Sequence, residues 1–209
     1  MPRLSAWLGA YCLALPPTLA GQLSAGLSIG ASSYSSAARG SSDAEEVQFL
    51  PYRPTSFGLL LGWGRESFRL EGSARYGEPG LALRGVPFDT AGESPGGVLI
   101  VSENAFRVAS FAGGASLRLL RLREGPVLRA AVALTLERWS SPGSAARTVA
   151  GVQGGLALEF ALSPSLSARA EGELGFTPAS PFRPGDLPDG VTTRSTWRRS
   201  LAAALVWWP

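Results

Sequence analysis

The stretch Trp197-Arg198-Arg199-Ser200-Leu201-Ala202-Ala203-Ala204-Leu205-Val206-Trp207 decides the fold. Side chains alternate across an extended chain, so Trp197, Leu201, Ala203, Leu205 and Trp207 share one face. Arg198, Ser200, Ala202 and Ala204 share the other. Ten residues separate the two tryptophans. At ~3.4 Å per residue and a tilt of ~40° they stand roughly 26 Å apart, close to the ~25 Å apolar band where strands cross a membrane. Arg199 is the exception on the apolar face; beside Trp197 it would lie at the interface, its head extended toward lipid phosphates or water.

Seven earlier segments read the same way. The first sets Leu23, Ala25, Leu27, Ile29 and Ala31 against Ser24, Gly26, Ser28, Gly30 and Ser32. The second carries Phe57, Leu59, Leu61 and Trp63, and the third Phe68, Leu70, Gly72, Ala74 and Tyr76, opposite Arg69, Glu71, Ser73 and Arg75. The fourth has Phe111, Ala115, Leu117 and Leu119, with Phe106 and Val108 out of phase; a bulge near Ser110 or a change of environment is expected there. The fifth alternates Leu128 to Leu136 against Arg129 to Glu137, and the sixth Val152, Leu156, Leu158, Phe160 and Leu162 against Gln153 to Glu159. The seventh sets Leu166, Ala168, Ala170, Leu174 and Phe176 against Arg169, Glu171 and Glu173.

Alternation alone does not say which face looks outward, because a soluble eight-stranded barrel also alternates. Three further patterns favour a membrane barrel. Short connections follow the even strands (Gly64-Arg65-Glu66, Arg123-Glu124-Gly125-Pro126, Ser163-Pro164-Ser165), and longer ones are expected after the odd strands. Trp63, Phe68, Phe160 and Trp207 lie by the short turns, and Phe57, Tyr76, Phe176 and Trp197 by the long loops, which makes two aromatic girdles. Charges of both signs occupy the opposite face: Arg69, Glu71, Arg75, Arg118, Arg129, Glu137, Glu159, Arg169, Glu171, Glu173 and Arg198. Inside a narrow barrel they can pair, which avoids the cost of isolated buried charge. The expected fold is all-β: an eight-stranded antiparallel up-and-down transmembrane β-barrel over residues 21–209, after an N-terminal signal peptide, residues 1–20.

That leader reading rests on Arg3, an apolar run from Leu4 to Leu15, Pro16-Pro17, and Thr18-Leu19-Ala20 before Gly21. Its ~12 apolar residues fall short of the ~20 that a membrane-spanning helix needs. Cys12, the single cysteine, would leave with it. The 26 Gly and 16 Pro, with a mean hydropathy of +0.12, disfavour helical architectures.

In architecture residues 21–209 resemble the small outer-membrane barrels of Gram-negative bacteria, the OmpA-like and OmpX-like eight-stranded group. The most specific element is the last strand, Leu201 to Trp208, similar to the C-terminal signal that the barrel-insertion machinery reads; here Pro209 follows the aromatic. The resemblance implies location in the outer membrane and contact with its lipids, including lipopolysaccharide.

All 19 basic residues are Arg, and there is no His and no Lys. Hydroxyl-nucleophile catalysis then lacks its usual bases. No enzyme, metal or cofactor is expected. The arginines are dispersed through apolar segments, which disfavours nucleic acid despite a formal charge of +3. Exposed acids in the first and last loops (Asp43, Glu45, Glu46; Asp186, Asp189) lack calcium-loop spacing. The reading is a monomeric, non-enzymatic barrel with a role in envelope structure or surface interaction through its outer loops. Two alternatives stand beside it: a soluble secreted or periplasmic barrel binding a lipid-like ligand, and a narrow channel for water or small ions. Arg194, Arg198 and Arg199 near the outer rim are candidates for contacts with lipid phosphates.

Overall fold

A computed structural model describes residues 21–41, 46–52, 54–84, 98–122, 125–183, 187 and 189–209. The leader, Asp43, Glu45, Asp186 and the Arg123-Glu124 part of one turn lie outside the described residues.

Thirteen strands follow in order: β1 (Gln22–Tyr34), β2 (Ala38–Ser41), β3 (Glu46–Tyr52), β4 (Thr55–Gly64), β5 (Phe68–Gly77), β6 (Gly80–Arg84), β7 (Val98–Ser102), β8 (Arg107–Arg121), β9 (Val127–Ser140), β10 (Arg147–Ser163), β11 (Leu166–Thr177), β12 (Val191–Thr193) and β13 (Thr196–Trp207). Eight close an antiparallel barrel, β1-β13-β11-β10-β9-β8-β5-β4, sealed by β4 on β1. These are the eight segments read from the alternation. The other five form a separate antiparallel sheet, β12-β2-β3-β6-β7, built from the long connections.

The barrel's faces are inverted relative to a water-soluble protein. Leu27, Leu59, Leu134, Val132 and Leu201 stand largely exposed on the outside, while Arg129, Glu137, Glu159, Glu171 and Arg198 are buried within. Phase explains this inversion. In β13, for example, Trp197, Leu201, Leu205 and Trp207 are exposed, and Thr196, Arg198, Ser200, Ala204 and Val206 are buried.

At one end tight turns join β4 to β5 and β10 to β11. The first is closed by the Arg65 amide donating to the Phe68 carbonyl at 2.8 Å. Gly64 enters it at φ +149°, where a Cβ would lie 2.4 Å from the Phe68 carbonyl oxygen. At the other end the connections 35–54, 78–106 and 178–195 supply the second sheet, whereas 141–146, expected to be long, is a brief crossing.

The fourth barrel strand settles differently from one expectation. Pairing of β8 with β5 and β9 is unbroken through Ser110; the register shift lies at Arg118/Leu120, by the turn end. Val108 is inward and buried with Trp139 and Val149, and Phe106 packs against them. The phase change at Phe106 and Val108 marks a change of environment: the inward side turns apolar toward the loop end.

Candidate functional site

The lumen is filled from the turn end upward by arginine and glutamate. Arg69 donates through Nη1 to both oxygens of Glu159, at 2.8 and 3.0 Å. Arg169 grips Glu71 with two bonds of 2.8 and 3.1 Å, and its Nε stands 2.5 Å from Glu171. Arg75 reaches Glu173 at 2.5 and 2.9 Å and Glu171 at 2.9 Å. Arg129, fully buried, donates to the Ser116 hydroxyl at 3.1 Å and to the Glu66 carbonyl at 2.7 Å; Ser116 in turn donates to Glu71 at 2.6 Å. Higher up, Arg198 pairs with Glu137 and donates to Gln153 Oε1 at 2.7 Å.

Five arginines thus face five glutamates, so the buried charge balances. This balance matters because an unmatched buried ion costs several kcal/mol, roughly, even after relaxation. Satisfaction is incomplete in detail: Arg75 Nε, Arg129 Nη2, Arg169 Nε and Arg198 Nε are buried without an aligned hydrogen bond. For Arg169 Nε the nearby Glu171 oxygen supplies charge, not good bond geometry. Two cavities of about 30 and 50 Å³ lie in this plug. A single water needs ~10–15 Å³ on this measure, so the cavities hold a few waters each. Neither admits a solute or an acyl chain, and the lumen is charged where the lipid-binding alternative requires it apolar.

Two sequence-derived placements are corrected. Arg118 is not in the plug: it stands in register opposite Arg129 but at the turn end of β8, where it pairs with Glu66 at 2.6 Å, as Arg121 does at 2.9 Å. The Arg118 bond holds the Glu66 carboxyl below its ordinary range, against a smaller opposing effect of burial. Arg198 does not accompany Arg194 and Arg199 at the lipid face. Its even position on β13 turns it into the lumen, whereas Arg199 is exposed on the outside and Arg194 is exposed on the segment joining β12 to β13.

The girdle residues all face outward. Phe57, Phe68, Tyr76, Phe160, Trp197 and Trp207 are exposed, Trp63 and Phe176 half-buried, and Phe176 stacks obliquely on Trp197 with centroids 4.8 Å apart. Trp208, next to an outward tryptophan, has its indole near Arg69 in the lumen and donates to Ser167 Oγ at 3.2 Å.

The loop-end mouth carries residues that the alternation did not single out. Tyr34 and Phe106 meet Trp139 edge-on at 5.6 and 6.2 Å, and Trp139 Nε1 donates to Glu137 at 3.1 Å, joining this aromatic cap to the ionic plug. Phe182 continues it, 5.5 Å from Phe106, and packs with Ala37 and Ala38 under the loop sheet. The one sequence signal for the cap was the broken phase at Phe106 and Val108. Among the described residues no cluster of His, Cys, Asp or Glu is arranged to hold a metal.

Neither protein-family models nor curated proteins match this sequence. Solved structures do match its fold. Neisserial surface protein A superposes with a TM-score of 0.55 at 12% identity, over 88% of this chain and 96% of that one. OprG, an outer membrane protein of Pseudomonas aeruginosa, gives 0.51 at 8% identity, over 91% and 96%. The Yersinia pestis attachment invasion locus protein Ail gives 0.43 at 17% identity, over 90% and 99%. The first two superpositions, with the closed eight-stranded barrel, make the fold that of the small outer-membrane barrels.

Proposed function

We propose that this chain is an integral barrel of the bacterial outer membrane, non-enzymatic and monomeric, whose working surface is the loop sheet above the mouth. The observation that carries the reading is the inversion of faces: large apolar side chains project outward around the wall while the interior is ionic. Exposed apolar surface of this extent is stable only against lipid or a partner, and its two aromatic rims match the boundaries of a bilayer. Residues 1–20 serve as the export signal, and β13, ending in Trp207 and Trp208, presents the segment that the insertion machinery reads.

The plug argues for an envelope or contact role over transport, because its carboxylates are each engaged by arginine and its cavities are water-sized. The same engagement leaves none of the five plug carboxylates free to act as acid or base. On the outside, Arg199 with its fork of donors stands two residues from Trp197, where it meets lipid phosphates of the outer leaflet, with Arg194 beyond the rim.

Fractionation of expressing cells followed by gel migration with and without boiling tests the reading. The folded barrel should be found in the outer-membrane fraction and shift on heating. Recovery in the soluble fraction without a heat shift overturns it. Arg194→Gln with Arg199→Gln should weaken lipopolysaccharide binding, and unaltered binding removes the phosphate contact.

A further inference from the structure

The aromatic cap does not fill the space beneath the loop sheet. A cavity of about 310 Å³ lies there, at the lower end of the ~300–1,000 Å³ of small-molecule sites. Phe49 of the loop sheet, Phe106, Trp139 and Phe182 give it aromatic walls, and Arg147 and Arg183 border it. The cavity lies on the loop side of the Glu137–Arg198 pair and is separate from the ionic plug.

The two arginines are the uncommon feature. Arg147 donates to the Phe182 carbonyl, and Arg183 Nη2 donates to the Ala146 carbonyl at 2.7 Å. Arg147, the first residue of β10, thereby ties that strand to the segment after β11, and Arg183 ties the same segment to connection 141–146. Unlike the buried lumen arginines, each of which stands within 4 Å of a glutamate, neither has a carboxylate partner among the described residues. A guanidinium offers five donors in a fixed fork, and one carbonyl occupies only one of them. Two unmatched positive charges at the edge of an aromatic cavity form a site for a ligand with an apolar body and an anionic head.

We propose that this cavity binds a single-chain carboxylate amphiphile, its alkyl chain against Phe106, Trp139 and Phe182 and its head held by Arg147 and Arg183. The site goes beyond the envelope role and does not depend on it, since the cavity is built by the loops and the mouth and not by lipid contact.

The barrel in lipid nanodiscs is titrated with decanoate, decanol and decyltrimethylammonium, with empty nanodiscs as the reference for partitioning into lipid. One saturable decanoate site per barrel is expected, with the cationic amphiphile at least tenfold weaker. Arg147→Gln with Arg183→Gln should weaken decanoate at least tenfold and leave decanol within twofold. Arg147→Lys with Arg183→Lys keeps the charge and should stay within threefold of the parent. Ala145→Trp, which fills the cavity from its lining, should remove decanoate and decanol binding together. A heat shift on gels confirms that each variant is folded. Absence of saturable decanoate binding, equal loss in the Gln and Lys pairs, or equal affinity for the cationic amphiphile overturns the proposal. Failure to insert into nanodiscs would instead count against the membrane reading.

Discussion

The guanidinium carbon of Arg69 lies 4.2 Å from the ring centroid of Trp208. The same guanidinium donates to both oxygens of Glu159, so the indole covers a buried ion pair at the turn end of the lumen. Cation–π contacts contribute ~0.5–2 kcal/mol, more when desolvated, and large-to-small aromatic substitutions cost ~3–5 kcal/mol in packed sites. Trp208→Ala is expected to lower unfolding free energy by about 2–4 kcal/mol in urea titrations in lipid vesicles. Trp208→Phe keeps a ring over Arg69 and loses the bond to Ser167, so about 1 kcal/mol is expected. Equal stability of all three proteins would show that the cover contributes nothing.

Trp208 also shows where sequence reading stops. Period-two alternation placed all eight barrel strands, because each must keep unlike faces over its whole length. It assigned Arg69, Glu71 and Arg169 to one side for the same reason. Which arginine meets which glutamate depends on strand stagger around a closed barrel, a quantity that no single strand carries. Arg118 was misplaced because alternation reports which face a residue takes and not its height in the barrel: it keeps the phase of Ser116, yet lies close enough to the turn to pair with Glu66. The loop sheet was invisible for another reason: β2 and β12 are only four and three residues long, too short for periodicity to register. Arg147 and Arg183, separated by a whole hairpin, meet only because the loops fold over the mouth.

Glu71 is the hub of the plug, accepting from Arg169 twice and from Ser116, with Arg129 4.0 Å away. Removing it strands buried positive charge, which costs ~3–5 kcal/mol. Glu71→Ala should lower stability by that amount in vesicle-bound barrel. Adding Arg169→Ala should cost less than the two single changes summed, since the second removes the charge the first exposed. Strict additivity would mean the pair does not act as a unit.

Leu134 is the sharpest test of the outer face. It is 71% exposed near the middle of β9, where the membrane reading puts the bilayer centre. Arginine at the midplane of a barrel costs ~2–4 kcal/mol and falls toward nothing at the interfaces. Leu134→Arg should therefore destabilise the vesicle-bound protein by about that much, while Trp207→Arg at the turn-side girdle costs about 1 kcal/mol or less. A cost independent of position along the wall would contradict a bilayer around the barrel.

Two glycines should respond in opposite directions to the same change. Gly64 sits at φ +149°, with the Phe68 carbonyl where a Cβ would go, so Gly64→Ala combines backbone strain with a clash. A loss of about 1–3 kcal/mol is expected. Gly113 faces outward on β8, and a Cβ there meets nothing within 4 Å. Gly113→Ala restricts the unfolded chain alone and should gain up to about 1 kcal/mol. Comparing urea midpoints of the two variants with the parent decides both.

Glu66 couples the turn rim to pH. Its carboxyl is held below the ordinary range, first by the bond from Arg118, and also by the charges of Arg118, Arg121 and Arg69. A group whose folded value is depressed stabilises above its unfolded value, about 4.3 for Glu, and that contribution vanishes as pH falls through the folded value. The residue is solvent-exposed, so the effect is small and screened by salt. The stability difference between parent and Glu66→Gln should be constant from pH 7 to about pH 5, shrink below about pH 4, and narrow at 1 M salt. Burial of Arg129 adds a control, because its bond goes to the Glu66 backbone carbonyl and survives the substitution. That bond is common to both proteins and cancels in the comparison, so a difference that persists unchanged at pH 3 would show that the charge of the Glu66 carboxylate is not its source.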